Sequence, residues 1–565
     1  MRKITKVTTL GLAMTMSLAT LLSATACRST EELIKDGKTV NVRLYSAGYG
    51  TAFIEPLKEK FEKAFEAEGY KLNLFTPKAG LTGEVCLQDI STTGADLYIS
   101  TGVSPSLLEK DAYKDVVADI TTLIADKKPI GFDGQETGDK KISEILADNV
   151  YGYNAYQKAD GSYYSVPWTA STRGLAVNKK VLSDLDLEIP KTSNEFFHCF
   201  DVIMEEAKNT QGDVFPLTQI SGNNNYHISF TSGWMAQYEG YEWYQKFCTF
   251  ENTDGTKMSK TDVLELFNAD GIEIMLQNMF HALDPNCSTY GSKNKAQMTA
   301  QKELIDGDCA FMMNGDFMFS EMEDTYKEES EKLKNITFVQ VPIISALGVK
   351  VFGAGTAYNK SDEVCDKILR AIVDEVDANK SLEQIKETVD AEFSTDFAMA
   401  DIERIATARG YSYTESVESG IYINAKSDVK EIAALFVRMC CSDEGGRLIS
   451  SYTNSGNPFA SGYAESEYDW VNSARNIINN RYFKGVRPQI SGYRLSIDTN
   501  FLGIFPYTGT YVNEKITKEN VTMYDAQTLT KLASTTEQVY VEAGKKMKNN
   551  IYNDVKTNSS YVWAD

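Results

Sequence analysis

Val40, Val42 and Leu44 alternate with Asn41, Arg43 and Tyr45, and a period of two marks a strand with one face in a core. The run ends in SAGYG at 46–50, so the strand is expected to break into a glycine-rich turn. Apolar positions then recur every four residues at Phe53, Leu57, Phe61 and Phe65, one face of a helix, and alternation returns in KLNLF at 71–75. Strand, helix, strand in succession implies a parallel pair, because the second strand must be reached by a crossover. DLYIS at 96–100 is a further short strand ending in small polar residues, and loops that follow parallel strands form crevices. Leu175, Ala176 and Val177 read as a returning strand. A helix follows, with Thr192 and Glu195 at capping-box spacing and Phe196, Phe200, Ile203 and Met204 on its apolar side. Residues 300–319 read as a helix, a glycine turn, a buried strand at 310–313 and a second turn at 314–316, with one more strand at 338–341. From about 345 to 419 the pattern turns helical and charged, as an insertion between crevice segments.

At 565 residues the chain exceeds what one compact core holds, so at least two domains are expected. The basic head MRKITK precedes an apolar stretch at 7–22, shorter than the ~20 residues a spanning helix needs. It reads as an export signal. The small residues of LSATAC at 22–27 lead into Cys27 and resemble the lipobox of bacterial lipoproteins, with Ala24 where leucine is more usual. That resemblance implies a signal peptide at 1–26, acylation of Cys27 and a polar tether through residue 38; the alternative is an ordinary secretory signal followed by an incidental cysteine. Two acyl chains are enough for stable anchoring. The net charge of −22, from 57 basic and 79 acidic residues, opposes attraction to nucleic acid or anionic headgroups. Membrane contact is therefore expected through the lipid alone. The other cysteines, at 86, 199, 248, 287, 309, 365, 440 and 441, show no CxxC spacing; an exported chain could pair them, and buried free thiols are preferred because several lie in apolar helical runs.

In GSYYSVPWTASTRGLAVNKK at 161–180, Trp168 stands between a proline and the hydrogen-bonding residues Thr169, Ser171, Thr172 and Arg173. That mixture suits a pocket wall better than a core. The three histidines, His198, His227 and His281, are scattered, and no HExxH, EF-hand loop, Gly-Lys-Ser/Thr cradle or GxSxG elbow is present. No metal and no cofactor are expected. The abundance of carboxylates leaves two-carboxylate glycoside hydrolysis open.

Taken in order, several of these segments resemble the family 1 extracellular solute-binding proteins, the maltose-binding-protein-like carbohydrate receptors of bacterial ABC importers. Residues 161–178 resemble the family's Gly-x-Tyr-x-Val-Pro stretch, 189–196 its Pro-x-Thr-x-x-Glu-Phe helix start, 307–317 its Gly-x-x-Ala-Met-x-x-x-Gly-x-Trp segment and 420–445 its closing strand and helix. The resemblance covers about 41–460. Phe317 stands where the family often has tryptophan, and Asp316 where a small hydroxyl is common.

The resemblance implies an α/β, two-lobed periplasmic-binding-protein-like (type II) fold with a hinge and an interlobe cleft, over 39–565. Lobe 1 would hold mainly 39–165 plus part of 338–445, and lobe 2 mainly 175–335 plus part of the C-terminal region. Ligand contacts would come from Tyr45, Ser46, Tyr49, Ser100, Trp168, Ser171, Arg173, Trp234, Asn314, Asp316, Phe317, Gly420 and Tyr422. Sugars need such a mixture, because their hydroxyls surround an apolar face. Plainer readings stand beside some of these: Trp168 as interlobe packing and Asp316 as a helix cap, while the amide run Asn223 to Asn225 reads as a turn. Of Trp234 and Trp243, which one helix cannot place on one face, Trp234 is the expected platform and Trp243 the core residue. The implied function is capture of a carbohydrate, an oligosaccharide in particular, by lobe closure. A monomeric, lipid-anchored receptor would deliver it to ABC permease subunits without chemistry. The alternatives are a lipid-anchored glycoside hydrolase and a receptor for a non-sugar ligand.

Overall fold

The alternation at the start of the chain forms β1 (Thr39–Leu44), and the next two runs form β2 (Lys71–Leu74) and β3 (Leu97–Ser100). The computed structural model describes residues 32–486, apart from 46–47, 104, 109, 149–155, 159, 211–213, 219–223, 267, 283–286, 290–294 and 415–418. β1 pairs in parallel with both β2 and β3. The crossover to β2 is the helix Ile54–Ala64, which buries Ile54, Leu57 and Phe61.

The chain continues through β4 (Val166–Pro167), β5 (Arg173–Asn178), β6 (Phe215–Thr218), β7 (Cys309–Gly315), β8 (Ile336–Val339), β9 (Tyr411–Ser412), β10 (Gly420–Ile423) and β11 (Lys484–Gly485). Two main sheets result, one in each lobe. The first runs β2-β1-β3-β10-β4, with β10 antiparallel to both neighbours. The second runs β6-β7-β5-β8, with β5 antiparallel to β7 and β8 and β6 parallel to β7.

β7 extends through Asn314 and Gly315, where a turn is expected from composition, because β5 offers partners along its whole length and Arg173 pairs with Gly315. Tertiary pairing overrides local propensity there. The second sheet is buried on both faces, which explains the unbroken apolar run AFMM at 310–313. Leu175, Val177, Phe311 and Met313 face the core shared with helices Ser193–Thr210 and Ile228–Glu239, whereas Ala176, Met312 and Phe338 face Ala300, Leu304, Met318 and Trp470.

The charged stretch after Ser345 forms four consecutive helices, Ser345–Phe352, Asp362–Asp377, Leu382–Phe393 and Met399–Gly410. They pack on one another and on helix Ile228–Glu239, enlarging the second lobe. Asp362–Asp377 is amphipathic, burying Cys365, Ile368, Leu369, Ile372, Val373 and Val376.

Three stretches of chain pass side by side between the sheets. Ala170 N–H donates to the Gly456 carbonyl at 2.9 Å and Arg173 N–H to that of Tyr413 at 2.8 Å. Thr414 Oγ1 donates to the Ser171 carbonyl at 2.6 Å, and the hydroxyls of Thr172 and Ser412 share a hydrogen bond. Short crossings of this kind, here antiparallel at both bridges, are the geometry of a hinge. The eight cysteines from Cys86 onward are free thiols, all buried except the half-buried Cys287. No helix among the described residues is long and apolar enough to cross a membrane. Cys27 lies outside the described residues.

Candidate functional site

The ends of β1, β3, β4 and β7 and the start of β5 converge where the crossing segments leave the two sheets. Tyr49 comes from the loop after β1, Asp316 and Phe317 from the end of β7, and Trp168 from the residue after β4. Tyr49 Oη donates to Asp316 Oδ1 at 2.7 Å, a hydrogen bond that joins the two lobes. The Tyr49 ring meets Trp168 and Phe317 edge-to-face, with centroids 6.1 Å from each.

Trp168 is only 2% exposed. Its ring stacks on Phe53 at 5.2 Å and 23°, and Nε1 donates to the Ser100 carbonyl at 3.3 Å. Its own carbonyl accepts from Asn457 Nδ2 at 2.9 Å. The indole thus stands at the lobe junction with its surface covered by protein. Phe317 lies across Gly315, where a Cβ would come within 2.2 Å of the Phe317 ring. Only glycine permits that close approach.

Asp316 is 1% exposed. Besides the Tyr49 bond, Oδ1 accepts from Thr172 N–H at 3.4 Å, while Oδ2 has no hydrogen-bond partner. Burial pushes its pKa up from 3.8 to about 7, against the lowering effect of those donors. The Arg173 guanidinium sits 5.0 Å from the Tyr226 ring centroid and 5.5 Å from that of Tyr413, a cation–π arrangement. Tyr226 in turn lies 6.1 Å from Phe317, and burial pushes its phenol up to about 12.

Tyr49, Trp168, Arg173, Asp316 and Phe317 therefore come together, with Ser100 contributing its carbonyl. The Ser100 hydroxyl itself is turned to the Leu81 carbonyl. Ser171 enters the hinge through its backbone carbonyl. Asn314 is fully buried, with Oδ1 accepting from Gly315 N–H at 2.7 Å. Gly420 pairs with Ser100 and Pro167 at the cleft end of the first sheet, and a Cβ there would fall 2.2 Å from Tyr422 Oη. Tyr422 is buried, its ring stacked with Tyr164 at 6.3 Å. Tyr45 is half-buried beside the same apolar cluster.

The expectation for Trp234 is corrected. It is 0% exposed, packed edge-to-face on Phe230 at 5.1 Å, with Nε1 donating to the Pro342 carbonyl at 2.9 Å. Every face and its polar atom serve the second lobe's core, so no platform remains. Trp243 is half-buried and stacked on Phe247 at 5.0 Å. Ser46 and Asn223 lie outside the described residues.

Sequence reasoning missed Phe53, which backs the indole, and the tyrosines flanking Arg173. Phe53 counted there only as part of a helix face. Tyr226 carried a faint signal, an aromatic closing a run of amides. Among the described residues no group of three potential metal ligands occurs. His227 is buried with Nδ1 3.3 Å from Met313 Sδ, and burial brings its pKa down to about 3. His281 stacks on Phe197 at 4.1 Å.

Residues 59–383 match the family of bacterial extracellular solute-binding proteins. No curated protein matches the sequence. Among solved structures, the apo-form of RafE from Streptococcus pneumoniae superposes with a TM-score of 0.52 at 13% identity, over 92% of this chain and 100% of that one. A probable secreted solute-binding lipoprotein from Streptomyces coelicolor gives 0.52 at 10% identity, over 91% and 100%. The GacH receptor of Streptomyces glaucescens gives 0.50 at 13% identity, over 92% and 99%. At such identities the likeness is one of fold, the two-lobed solute-binding architecture. Because the matched segment spans more than half of the chain and the lobes, hinge and cleft follow that architecture, the chain belongs to the bacterial extracellular solute-binding proteins.

Proposed function

We propose that the protein captures a carbohydrate, an oligosaccharide in particular, between its lobes and delivers it to the permease subunits of an ABC importer. The observation that carries this reading is the pairing, at the lobe junction, of aromatic rings from both lobes with a buried carboxylate. Trp168 and Phe317 supply apolar faces for the C–H side of a pyranose, and Asp316 supplies an acceptor for hydroxyls. Two neighbours in fold support the choice of ligand class: RafE has been solved with raffinose, and GacH with acarbose.

Lobe closure follows from the position of these groups. A ligand that touches Trp168 and Asp316 together completes its contacts only when the lobes meet, so it binds the closed form better and shifts the population toward it. The reading assigns binding without turnover. Glycoside hydrolysis would need two carboxylates flanking the bond at ~5 to 9 Å, whereas this reading gives Asp316 the part of a hydrogen-bond acceptor for hydroxyls alone. Acylation at Cys27 would hold the monomeric receptor at the outer face of the membrane, within reach of the permease.

Calorimetry against raffinose, acarbose, maltotriose and a peptide mixture, with chromatography of the recovered ligand, tests the proposal. Binding of an intact sugar is expected. Steady appearance of cleavage products would favour the hydrolase, and binding of peptide alone would overturn the carbohydrate assignment.

A further inference from the structure

Tyr49 sits between two glycines with left-handed backbones, Gly48 at φ +61° and Gly50 at φ +70°. Such a loop can redirect its central side chain at little steric cost, since neither neighbour carries a Cβ that resists the change. In the present arrangement the side chain reaches across the cleft. Its flat six-membered ring touches Trp168 and Phe317, and its hydroxyl donates to Asp316. Those are the contacts that the proposed function assigns to a sugar.

We infer that Tyr49 is an internal stand-in for the ligand: in the absence of sugar it holds the lobes together by occupying the pyranose subsite, and an arriving sugar must displace it. The inference rests on the carbohydrate reading for the identity of the displacing ligand, but not for the contact that Tyr49 makes between the lobes.

Asp316 shows why a sugar can win the exchange. A phenol brings one donor, and the structure uses it on Oδ1; the equally buried Oδ2 has no partner. Above its pKa of about 7 the ionised Asp316 carboxylate has two oxygens able to accept at once. A pyranose with two adjacent free hydroxyls offers a donor to each, which Tyr49 cannot do. The subsite should therefore favour sugars that present a vicinal diol. The same exchange sets a threshold: a weak or wrongly substituted ligand with one donor gains nothing over the tyrosine already in place.

Small-angle scattering and calorimetry on the full mature chain, as wild type, Tyr49→Phe and Tyr49→Ala, test the inference. Without sugar, Tyr49→Ala should have a larger radius of gyration than wild type; equal radii would overturn the stand-in role, whatever the ligand is. With the tightest-binding of raffinose, acarbose and maltotriose, Tyr49→Phe should bind about three- to tenfold more tightly than wild type, because the competitor has lost one hydrogen bond. Unchanged or weaker binding would show instead that the hydroxyl is neutral or contacts the ligand, and would overturn the inference. If wild type binds none of the sugars, the carbohydrate reading falls, and the sugar-free scattering still decides the role of Tyr49.

Discussion

Replacing Asp316 by asparagine should change how stability depends on pH. The carboxyl is buried, with its pKa raised from 3.8 to about 7. Between these values the folded chain holds a proton at Asp316 that the unfolded chain has released. Stability therefore falls as pH rises from about 4 to about 7, and levels off above the folded pKa. At ~1.4 kcal/mol for each unit of difference, a shift of about three units corresponds to about 4 kcal/mol. That figure is a ceiling, because separation of the lobes lets water reach the carboxylate and relieves part of the cost of charging it. The amide that replaces the carboxyl is neutral throughout and keeps an oxygen to accept from Tyr49. Other titrating groups are common to both chains and cancel in the comparison. Urea unfolding of wild type and Asp316→Asn at several pH values should show the variant gaining on wild type as pH rises from 5 to 8. Parallel stability profiles would refute the claim that Asp316 is buried with a raised pKa.

Trp234→Ala should cost ~3 to 5 kcal/mol of stability by lost burial and a cavity, seen as a lower unfolding midpoint, with ligand affinity nearly unchanged because the ring lies wholly in the second lobe's core. Gly315→Ala places a methyl within 2.2 Å of the Phe317 ring; displacement of that ring should cost ~1 to 3 kcal/mol and weaken sugar binding, read by melting and calorimetry together. Cys27→Ser should release the protein from membranes on cell fractionation, provided mass spectrometry shows the signal to be removed; retention of the processed variant would refute lipid anchoring.

The parallel start of the first sheet is legible in the sequence because β1 and the Phe53, Leu57, Phe61 face display clean periods of two and four. β4, β9 and β11 are two residues each, too short for any period, and exist only because a longer strand or a crossing segment lies beside them. The end of β7 reads as a turn from Asn314 and Gly315, yet pairing with β5 carries it on. Trp168 and Trp234 look alike in sequence, each following or preceding small hydroxyl residues. What separates them comes from afar: Trp234 is capped by the Pro342 carbonyl, whereas Trp168 meets Tyr49 from the loop after β1. The setting of Arg173 depends likewise on Tyr226 and Tyr413, distant from it in sequence. Chemistry-bearing residue types were visible one by one; which of them share a wall was decided by contacts between segments far apart along the chain.

The claim at the centre of this reading, that a sugar is held where Trp168, Asp316 and Phe317 meet, is tested most directly by one comparison. It is the dissociation constant of the tightest-binding oligosaccharide for wild type, Phe317→Ala and Trp234→Ala, measured on chains shown to be folded. Loss of the cleft ring in Phe317→Ala should weaken binding by roughly 1 to 3 kcal/mol, the range that a well-packed aromatic contact carries, while Trp234→Ala stays within about twofold of wild type. Equal affinities for wild type and Phe317→Ala, or a loss confined to Trp234→Ala, would place the ligand elsewhere and contradict the assignment.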